Sequence, residues 1–278
     1  MTIQIVDGAW LEGHLVDSGV RVVEVSSRKA PASREARIPG AVRWYWKDLC
    51  WHKTDRQLAT PAEMAERLGR AGVSRDATLV LYGDPVQYGT YAAWVLSMAG
   101  HPDIRVLDGA YTRWARDGRP LSAQEPEARS VEYGRPVAAG PSARVGRDDV
   151  LQSLGRAGRL LLDVRSIEEY RGERVMPPPG FDHGAERTGR IPGAVHLFYR
   201  DLLNDDDTFR APNEIRAALE TVGAGPDQSA DVIAYCRLSH RATLVWAAMT
   251  VLLGWDNARI YDGSWTEWGS IVGFPVEK

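Results

Sequence analysis

The chain has 278 residues, enough for one large domain or two domains of ordinary size. A hydrophobic content of 44% and a charged content of 26% are ordinary for a globular protein, and the formal net charge of −3 gives no reason to expect nucleic acid or an acidic membrane as a partner. No uninterrupted apolar run reaches about 18 residues and the N-terminus lacks a basic segment followed by an apolar one, so neither a membrane span nor a secretory signal is predicted.

The first half of the chain alternates apolar strand patterns with a helical pattern. Strands are predicted at 21–26, 77–83 and 104–109. The segment 60–73 is predicted to be a helix with Thr60 as its N-cap and Pro61 at the first helical position. Residues 121–142 are rich in Pro, Gly and charge without a period, which is typical of an interdomain linker.

The second half repeats this alternation. Strands are predicted at 160–166, 231–236 and 258–263, and a helix at 211–225 that ends at a glycine. Strands flanked by helices predict an α/β fold in which each central sheet is mostly parallel and covered by helices on both faces. We therefore predict an N-terminal domain over 1–120 and a C-terminal domain over 143–278.

Three pairs of segments match at almost one offset, which indicates an internal duplication. IPGAVRWYWKDL at 38–49 and IPGAVHLFYRDL at 191–202 share seven of twelve residues at an offset of 153. LVLYGD (79–84) matches VIAYCR (232–237) at the same offset. LDGAYTRW (107–114) matches YDGSWTEW (261–268) at an offset of 154. Because the three matches stay in register, a unit of domain size has been duplicated.

The stretch from 232 to 253 carries the main functional signal. An apolar run ends in Cys236, four residues separate it from Arg241, and an apolar helical pattern follows. This predicts a strand-to-helix turn, where backbone N–H groups converge at the positive end of a helix dipole. Arg237, Arg241 and His240 add positive charge, and such surroundings favour the thiolate form of a cysteine. Cys236 is therefore predicted to be a nucleophile for an anionic substrate.

Cysteine and histidine usage argues against other kinds of site. Cys50 and Cys236 are the two cysteines of the chain, too few for a disulfide framework, so a cytoplasmic location is expected. No CxxC or HExxH spacing occurs and the six histidines are scattered, so neither a metal nor a cofactor is predicted. Cys50 is expected to be an ordinary surface or half-buried thiol.

The two copies differ at the turn, which separates scaffold from chemistry. Gly83 and Asp84 stand where the second copy has Cys236 and Arg237. The first loop, YGDPVQYG, has neither a thiol nor an arginine and contains a proline. The N-terminal domain is therefore predicted to be catalytically silent.

The loop from Cys236 to Arg241, the paired IPGAV segments and YDGSWTEWG resemble those of tandem-domain rhodaneses, over about residues 3–275. The resemblance implies two rhodanese-like α/β domains, the first of them silent, and a cysteine aligned with Cys236 that carries sulfur as a persulfide. It implies that the thiolate attacks the outer sulfur of thiosulfate, expels sulfite and passes the sulfur to cyanide or a thiol. Substrate-binding residues are predicted on the loop and in the preceding basic segment: Arg237, Ser239, His240, Arg241, Arg187 and Arg190.

Several alternatives remain open at this stage. Cys-dependent phosphatases place five residues between Cys and Arg, so the four here favour sulfur over phosphate. A 3-mercaptopyruvate sulfurtransferase typically has Cys-Gly-Ser-Gly-Val-Thr, whereas the charged loop here favours a dianionic donor; Ser239 departs from the usual Gly at the fourth loop position. A non-catalytic or regulatory sulfur carrier is a further alternative. The expected partners are a small anionic sulfur donor and a thiophilic acceptor, and a monomer is the expected state.

Environments are also predicted for other residues near the turn. Arg241 is expected either to be solvated or to pair with Glu169 or Asp262, and His240 either to tune the thiolate or to lie exposed. The insertion at 171–190, which the first copy lacks, is expected to form the pocket rim. Trp114 and Trp268, which recur at matching places, are expected to pack in the core.

Overall fold

The structure, a computed structural model, describes residues 2–29, 36–127, 129–136 and 143–278. The chain divides into two compact units, Met1–Pro141 with Asp205–Thr208, and Ser142–Asn204 with Phe209–Lys278. Part of the predicted linker, residue 128 and residues 137–142, lies outside the described residues. The domain boundaries given above remain a prediction.

In the described residues of the first unit, five strands are interspersed with five helices. The strands are β1 (Thr2–Val6), β2 (Val20–Ser26), β3 (Val42–Tyr45), β4 (Thr78–Asp84) and β5 (Asp103–Leu107). The helices are α1 (Gly8–His14), α2 (Trp46–Cys50), α3 (Pro61–Arg70), α4 (Gln87–Met98) and α5 (Ala110–Arg116). The sheet order is β1-β5-β4-β2-β3, and its strand pairs are parallel.

The second unit has a similar order of elements, with a short helix between its second and third strands. Its strands are β6 (Arg144–Val145), β7 (Arg159–Asp163), β8 (Val195–His196), β9 (Asp231–Tyr235) and β10 (Ala258–Tyr261), in the sheet order β6-β10-β9-β7-β8. Its α-helices are α6 (Arg147–Ser153), α7 (Ile167–Tyr170), α8 (Pro212–Thr221), α9 (His240–Ala247) and α10 (Ser264–Trp268). A 3₁₀ helix covers Tyr199–Leu202, and a π-helical turn, Ala248–Leu252, continues α9.

The predicted fold class is confirmed, because each unit is a five-stranded parallel sheet flanked by helices. The predicted start of α3 is confirmed as well. The Thr60 hydroxyl accepts the Glu63 N–H at 3.2 Å, and the Glu63 carboxylate accepts the Thr60 N–H at 2.8 Å. The edge strands β1, β3, β6 and β8 were not predicted, since they are short or only partly buried and carry no continuous apolar run.

The duplication is visible in matched hydrogen bonds. The Tyr82 hydroxyl accepts the backbone N–H of Ile38 at 3.4 Å, and the Tyr235 hydroxyl accepts that of Ile191 at 3.2 Å. These bonds fix each IPGAV turn to the central strand of its sheet. The prediction that the repeated tryptophans pack in the core is confirmed, because Trp114 and Trp268 are both buried. Each donates its indole N–H to a proline carbonyl at 2.8 Å, that of Pro120 and that of Pro275.

The described part of the segment 121–142 contacts the first unit. The backbones of Ser122 and Arg37 exchange two hydrogen bonds of 2.9 Å. The hydroxyl of the buried Tyr133 lies 2.7 Å from Nδ1 of the buried His101. In the part of the chain that the structure describes, no helix has the length and apolar character needed to cross a membrane.

Candidate active site

Cys236 lies directly after the central strand of the second sheet, and α9 begins four residues later at His240. In open parallel sheets, ligands bind beyond the carboxyl ends of the central strands. Cys236 is 1% exposed, so its surroundings are formed by protein groups rather than by bulk water. The predicted strand-to-helix turn is therefore present.

Ser239 gives the turn its shape. Its φ of 72° and ψ of −25° place it in the left-handed region, which explains why a glycine suits this position. Its hydroxyl does not cap α9, but donates to the Asp262 carbonyl at 2.5 Å and to the Asp262 carboxylate at 2.9 Å. The first helical hydrogen bond, from Thr243 N to Ser239 O, spans 2.9 Å. The backbone N–H groups of residues 240–242 thus come before the first hydrogen bond within α9 and lie at the positive end of the helix dipole.

The segment that carries the YDGSWTEW motif holds the other half of the turn. The Cys236 N–H donates to the Ser264 hydroxyl at 3.2 Å, and the Cys236 carbonyl accepts the Trp265 N–H at 2.9 Å. The Arg237 carbonyl accepts the Thr266 N–H at 3.1 Å. The cysteine turn and the YDGSWTEW motif, which are separate in sequence, are therefore joined directly by hydrogen bonds.

Ser264 was missed by the sequence analysis, although the internal repeat contains the signal. Ser264 has a φ of 52°, and Ala110, at the same place in the first copy, has a φ of 46°. The unusual backbone is thus shared between the copies, whereas the hydroxyl that binds Cys236 exists only in the second.

Arg241 forms a buried bidentate ion pair with Glu169. The expectation of an ion pair with this residue is therefore confirmed, and Arg241 is not solvated. Its Nη1 and Nη2 donate to the two carboxylate oxygens at 2.6 and 2.9 Å. Burial by itself would lower the pKa of Arg241, but the hydrogen bonds and negative charge of Glu169 outweigh it and hold the pKa above its ordinary value. Glu169 is fixed in turn, because it accepts the Ser166 N–H at the start of α7. The pair ties α9 to α7.

A second buried pair supports the floor of the site. Arg165 and Asp163 are both 0% exposed and are joined by a 2.6 Å contact. The Arg165 guanidinium lies 4.6 Å from the centre of the Trp265 ring and donates to the Gly189 carbonyl at 2.7 Å. Desolvation disfavours its charge, yet Asp163 raises the pKa of Arg165 above the ordinary value. The pair therefore connects the strand end, the insertion and the YDGSWTEW segment.

Arg237 is the half-buried cation of the turn. Its Nη1 donates to the His183 carbonyl at 3.4 Å. A Cβ on Gly184, whose φ is +116°, would lie 2.5 Å from the same nitrogen. The insertion that was expected to form the pocket rim thus contacts Arg237, and a glycine provides the space for its guanidinium.

Arg187 and Arg190, both predicted to bind substrate, make hydrogen bonds with the C-terminal segment. The Arg187 guanidinium donates to four backbone carbonyls near the C-terminus, at 2.7–3.1 Å: those of Trp268, Gly269, Ile271 and Phe274. Arg190 pairs with Glu277 and stacks 4.6 Å from the Tyr170 ring. These donors hold the C-terminal segment in place, and substrate binding by either arginine stays a prediction. Hydrogen-bond partners of this kind cannot be read from local sequence.

Two further environments differ from those expected. Cys50 is 0% exposed rather than on or near the surface, because α2 packs it into the core. His240 is 6% exposed, so the expectation of an exposed side chain is wrong; as the first residue of α9 it lies in the turn itself. Within the described ranges no group of three or more His, Cys, Asp or Glu residues is arranged to hold a metal ion.

The first copy has no room for a side chain at the equivalent of Cys236. A Cβ on Gly83 would lie 2.4 Å from the Pro85 carbonyl oxygen and 2.5 Å from the Gly89 nitrogen. Real Cβ atoms do not approach the backbone this closely. The backbone of residues 85–89 therefore occupies the space that a side chain at position 83 would need. The first copy thus lacks both the thiol and the space for it.

A scan of known families matches the family described as "Rhodanese-like domain" twice, over residues 7–117 and 147–271. The chain belongs to the rhodanese family. It is 37% identical to the sulfur carrier protein TtuD of Thermus thermophilus and 37% identical to a Haloferax volcanii protein provisionally named a thiosulfate sulfurtransferase. Each match covers 99% of this chain and 96% of the relative. The family resemblance and its function as a sulfurtransferase are thus confirmed.

Solved structures of ergothioneine-related enzymes have the same fold. The anaerobic ergothioneine biosynthesis enzyme of Chlorobium limicola, in complex with trimethyl histidine, is similar with a TM-score of 0.85 and 26% identity, over 99% of this chain and 70% of that one. A variant of EanB with a cysteine persulfide and ergothioneine gives a TM-score of 0.86 and 26% identity, with the same coverage. These likenesses support sulfur transfer in general and do not specify the donor.

Proposed function

We propose that the protein is a thiosulfate sulfurtransferase that carries the transferred sulfur as a persulfide on Cys236. The observation that carries the proposal is the turn itself. The Cys236 thiol follows the central strand of the second sheet, and the first backbone N–H groups of α9 come four residues after it. The Ser239 hydroxyl does not cap these N–H groups, because it is bound to Asp262. Such a turn suits a group that stays anionic throughout the cycle.

The transfer proceeds in two displacements. The Cys236 thiolate attacks the outer sulfur of thiosulfate, a sulfur–sulfur bond forms, and sulfite leaves with the electron pair of the broken bond. The resulting persulfide, Cys–S–S⁻, keeps one negative charge, which the loop amides stabilise by hydrogen bonding. A thiophilic acceptor such as cyanide or a thiol then takes the outer sulfur and regenerates the thiolate.

Arg237 is the side chain proposed to bind the donor anion. Arg241 and Arg165 are each neutralised by a buried carboxylate, whereas the Arg237 guanidinium reaches a carbonyl at the rim. Replacing Arg237 by Gln is expected to lower kcat/KM for thiosulfate by about 5- to 150-fold, which corresponds to about 1–3 kcal/mol. Gly184→Ala should have a smaller effect in the same direction, because its Cβ displaces the guanidinium.

The experiment that tests the proposal joins mass spectrometry with turnover. The protein is incubated with thiosulfate and its mass is compared with that of Cys236→Ser and of Cys50→Ala, the matched control at a buried thiol. We expect the wild type and the control to gain the mass of one sulfur atom and to form thiocyanate from cyanide. Cys236→Ser should do neither. Equal transfer by Cys236→Ser would contradict the proposal.

A sulfur carrier is the second candidate, because TtuD, 37% identical over almost the full chain, is named as one. A carrier would acquire the Cys236 persulfide but show little turnover with cyanide. A 3-mercaptopyruvate sulfurtransferase would turn over mercaptopyruvate faster than thiosulfate. The donor and acceptor profile of the wild type therefore separates the three functions. Both cysteines are thiols and not part of a disulfide, which fits the reducing cytoplasm that we propose as the location.

A further inference from the structure

The silent first unit contains a cavity of about 740 Å³, within the size range of small-molecule sites. Its walls are the edge strand β3, helix α2, the loop over residues 51–56 and the C-terminal end of α3. None of the residues proposed above for sulfur transfer contributes to it. The domain that lacks the thiol has thus kept a cavity of its own.

Basic residues outnumber acidic ones in the cavity of a chain whose net charge is −3. Two aspartates line it, Asp48 and Asp55, against six basic residues: Lys29, Lys47, Lys53, Arg56, Arg67 and Arg70. Some of the six are ion-paired, among them Arg70 with Glu66 at 2.8 Å and Lys29 with Asp48 at 3.8 Å. Arg67 has a structural task, since its Nη1 donates to the carbonyls of Leu49 and Trp51 at 3.1 and 2.8 Å. Lys47, Lys53 and Arg56 are exposed, and their charge can reach a ligand.

Aromatic rings alternate with these cations and hold two of them in place. The Arg56 guanidinium lies 4.0 Å from the centre of the Trp51 ring, and the Lys47 ammonium lies 4.9 Å from it. The Trp51 indole N–H donates to the Tyr91 hydroxyl at 2.8 Å, which fixes the ring. Cation–π contacts therefore arrange two positive charges around one ring. Half-buried Trp44 adds a second indole to the cavity wall.

The internal repeat indicates that this charge is not part of the shared scaffold. After the matching strand and helix, the first copy reads WHKTDR at 51–56, whereas the second reads NDDDTF at 204–209. In both copies this loop closes with an antiparallel bridge, Trp51 to Leu58 in the first and Leu203 to Phe209 in the second. Each loop is thus closed by a bridge, at slightly different positions, while its charge is reversed.

We propose that this cavity, which we call the basic aromatic cavity, binds an organic polyanion with an aromatic ring, of the size and chemistry of a nucleoside polyphosphate. Lys47, Lys53 and Arg56 receive the phosphate charges. Trp44 provides the surface on which the ring stacks. The residues of this site are separate from those proposed for sulfur transfer.

Isothermal titration calorimetry of the full-length protein with ATP tests the proposal, with adenosine and inorganic triphosphate as probes that each lack one half of the ligand. We expect one saturable site for ATP, whose affinity falls as ionic strength rises, and at least tenfold weaker binding of either half. Lys53→Glu with Arg56→Glu should weaken ATP binding at least tenfold. Trp44→Leu should weaken it about fivefold or more.

Arg129→Glu is the matched control, because Arg129 is an exposed arginine of the same unit that does not line the cavity. It should leave ATP binding unchanged. Absence of a saturable heat with ATP, or equal weakening by the control, overturns the proposal. Triphosphate binding as tightly as ATP would show that the ring plays no part. A hexaglutamate peptide that binds more tightly than ATP would point to an acidic protein partner, and would likewise overturn it.

Discussion

The ion pair of Arg241 and Glu169 should control both the stability of the second unit and the shape of the cysteine turn. Glu169→Gln keeps the shape of the side chain but removes its charge, which leaves the buried Arg241 uncompensated. At an effective dielectric constant of about 20, two charges about 4 Å apart attract each other by about 4 kcal/mol. Breaking a buried pair on one side costs about 3–5 kcal/mol, so a loss of this size is expected.

Hydrogen exchange followed by mass spectrometry measures the lost stability separately for each segment of the second unit. Peptides that cover residues 232–253 report the free energy of opening of β9 and α9. A loss of about 3–5 kcal/mol corresponds to exchange roughly one hundred to several thousand times faster. Glu220→Gln is the control in the same unit, since Glu220 is 46% exposed and lies 4.0 Å from Arg216. That surface pair should contribute less than about 1 kcal/mol.

The pH dependence of this effect follows from the direction of the pKa shift. Because the pKa of Arg241 is raised in the folded protein, its stabilisation is fully present below the unfolded pKa and is lost only at still higher pH. The contribution of Arg241 to the difference in the free energy of opening between wild type and Glu169→Gln should therefore stay constant from about pH 6 to 9. Exchange in Glu169→Gln no faster than in Glu220→Gln would refute the reasoning, as would unchanged persulfide formation from thiosulfate.

Three other predictions follow from single residues. Ser239→Ala keeps the left-handed backbone but loses the bond to Asp262, and should cost about 1–2 kcal/mol in thermal or urea unfolding; Ser239→Gly also relieves the backbone and should be closer to neutral. Gly83→Ala should destabilise the first unit by more than about 2 kcal/mol, whereas Gly19→Ala, with no atom within 4 Å of its Cβ, should stay within about 1 kcal/mol. Burial lowers the pKa of His101 below its unfolded value, so the first unit should lose stability as pH falls below about 6.5; a melting temperature in His101→Gln that falls as steeply as in wild type would contradict this.

The sequence was most informative where one property repeats along the chain. Apolar runs located the central strands β2, β4, β7 and β9, because a strand buried on both faces needs such a run. Capping chemistry located the start of α3, because Thr60, Pro61 and Glu63 are neighbours in sequence. The edge strands escaped prediction, since a strand paired on one side needs no continuous apolar pattern.

Side-chain partners were the least predictable part of the site. Arg187, Arg190 and Arg237 are all arginines of the second unit, yet the first two hold the C-terminal segment and the third donates to the His183 carbonyl. The carbonyl groups that accept hydrogen bonds from Arg187 are more than 80 residues away in sequence, so the local sequence pattern cannot predict them. Ser264 could have been found from the repeat, where an alanine stands in the copy that lacks the thiol.

By itself the sequence determined the parallel α/β fold, its duplication, and the position of one cysteine at a strand-to-helix turn, because periodicity and local spacing encode all three. Tertiary structure decided which charges remain at that turn. Glu169, 72 residues away in sequence, neutralises Arg241, and backbone carbonyls near the C-terminus accept the hydrogen bonds of Arg187. Ion pairing depends on distances in space, and these exist only once the chain has folded.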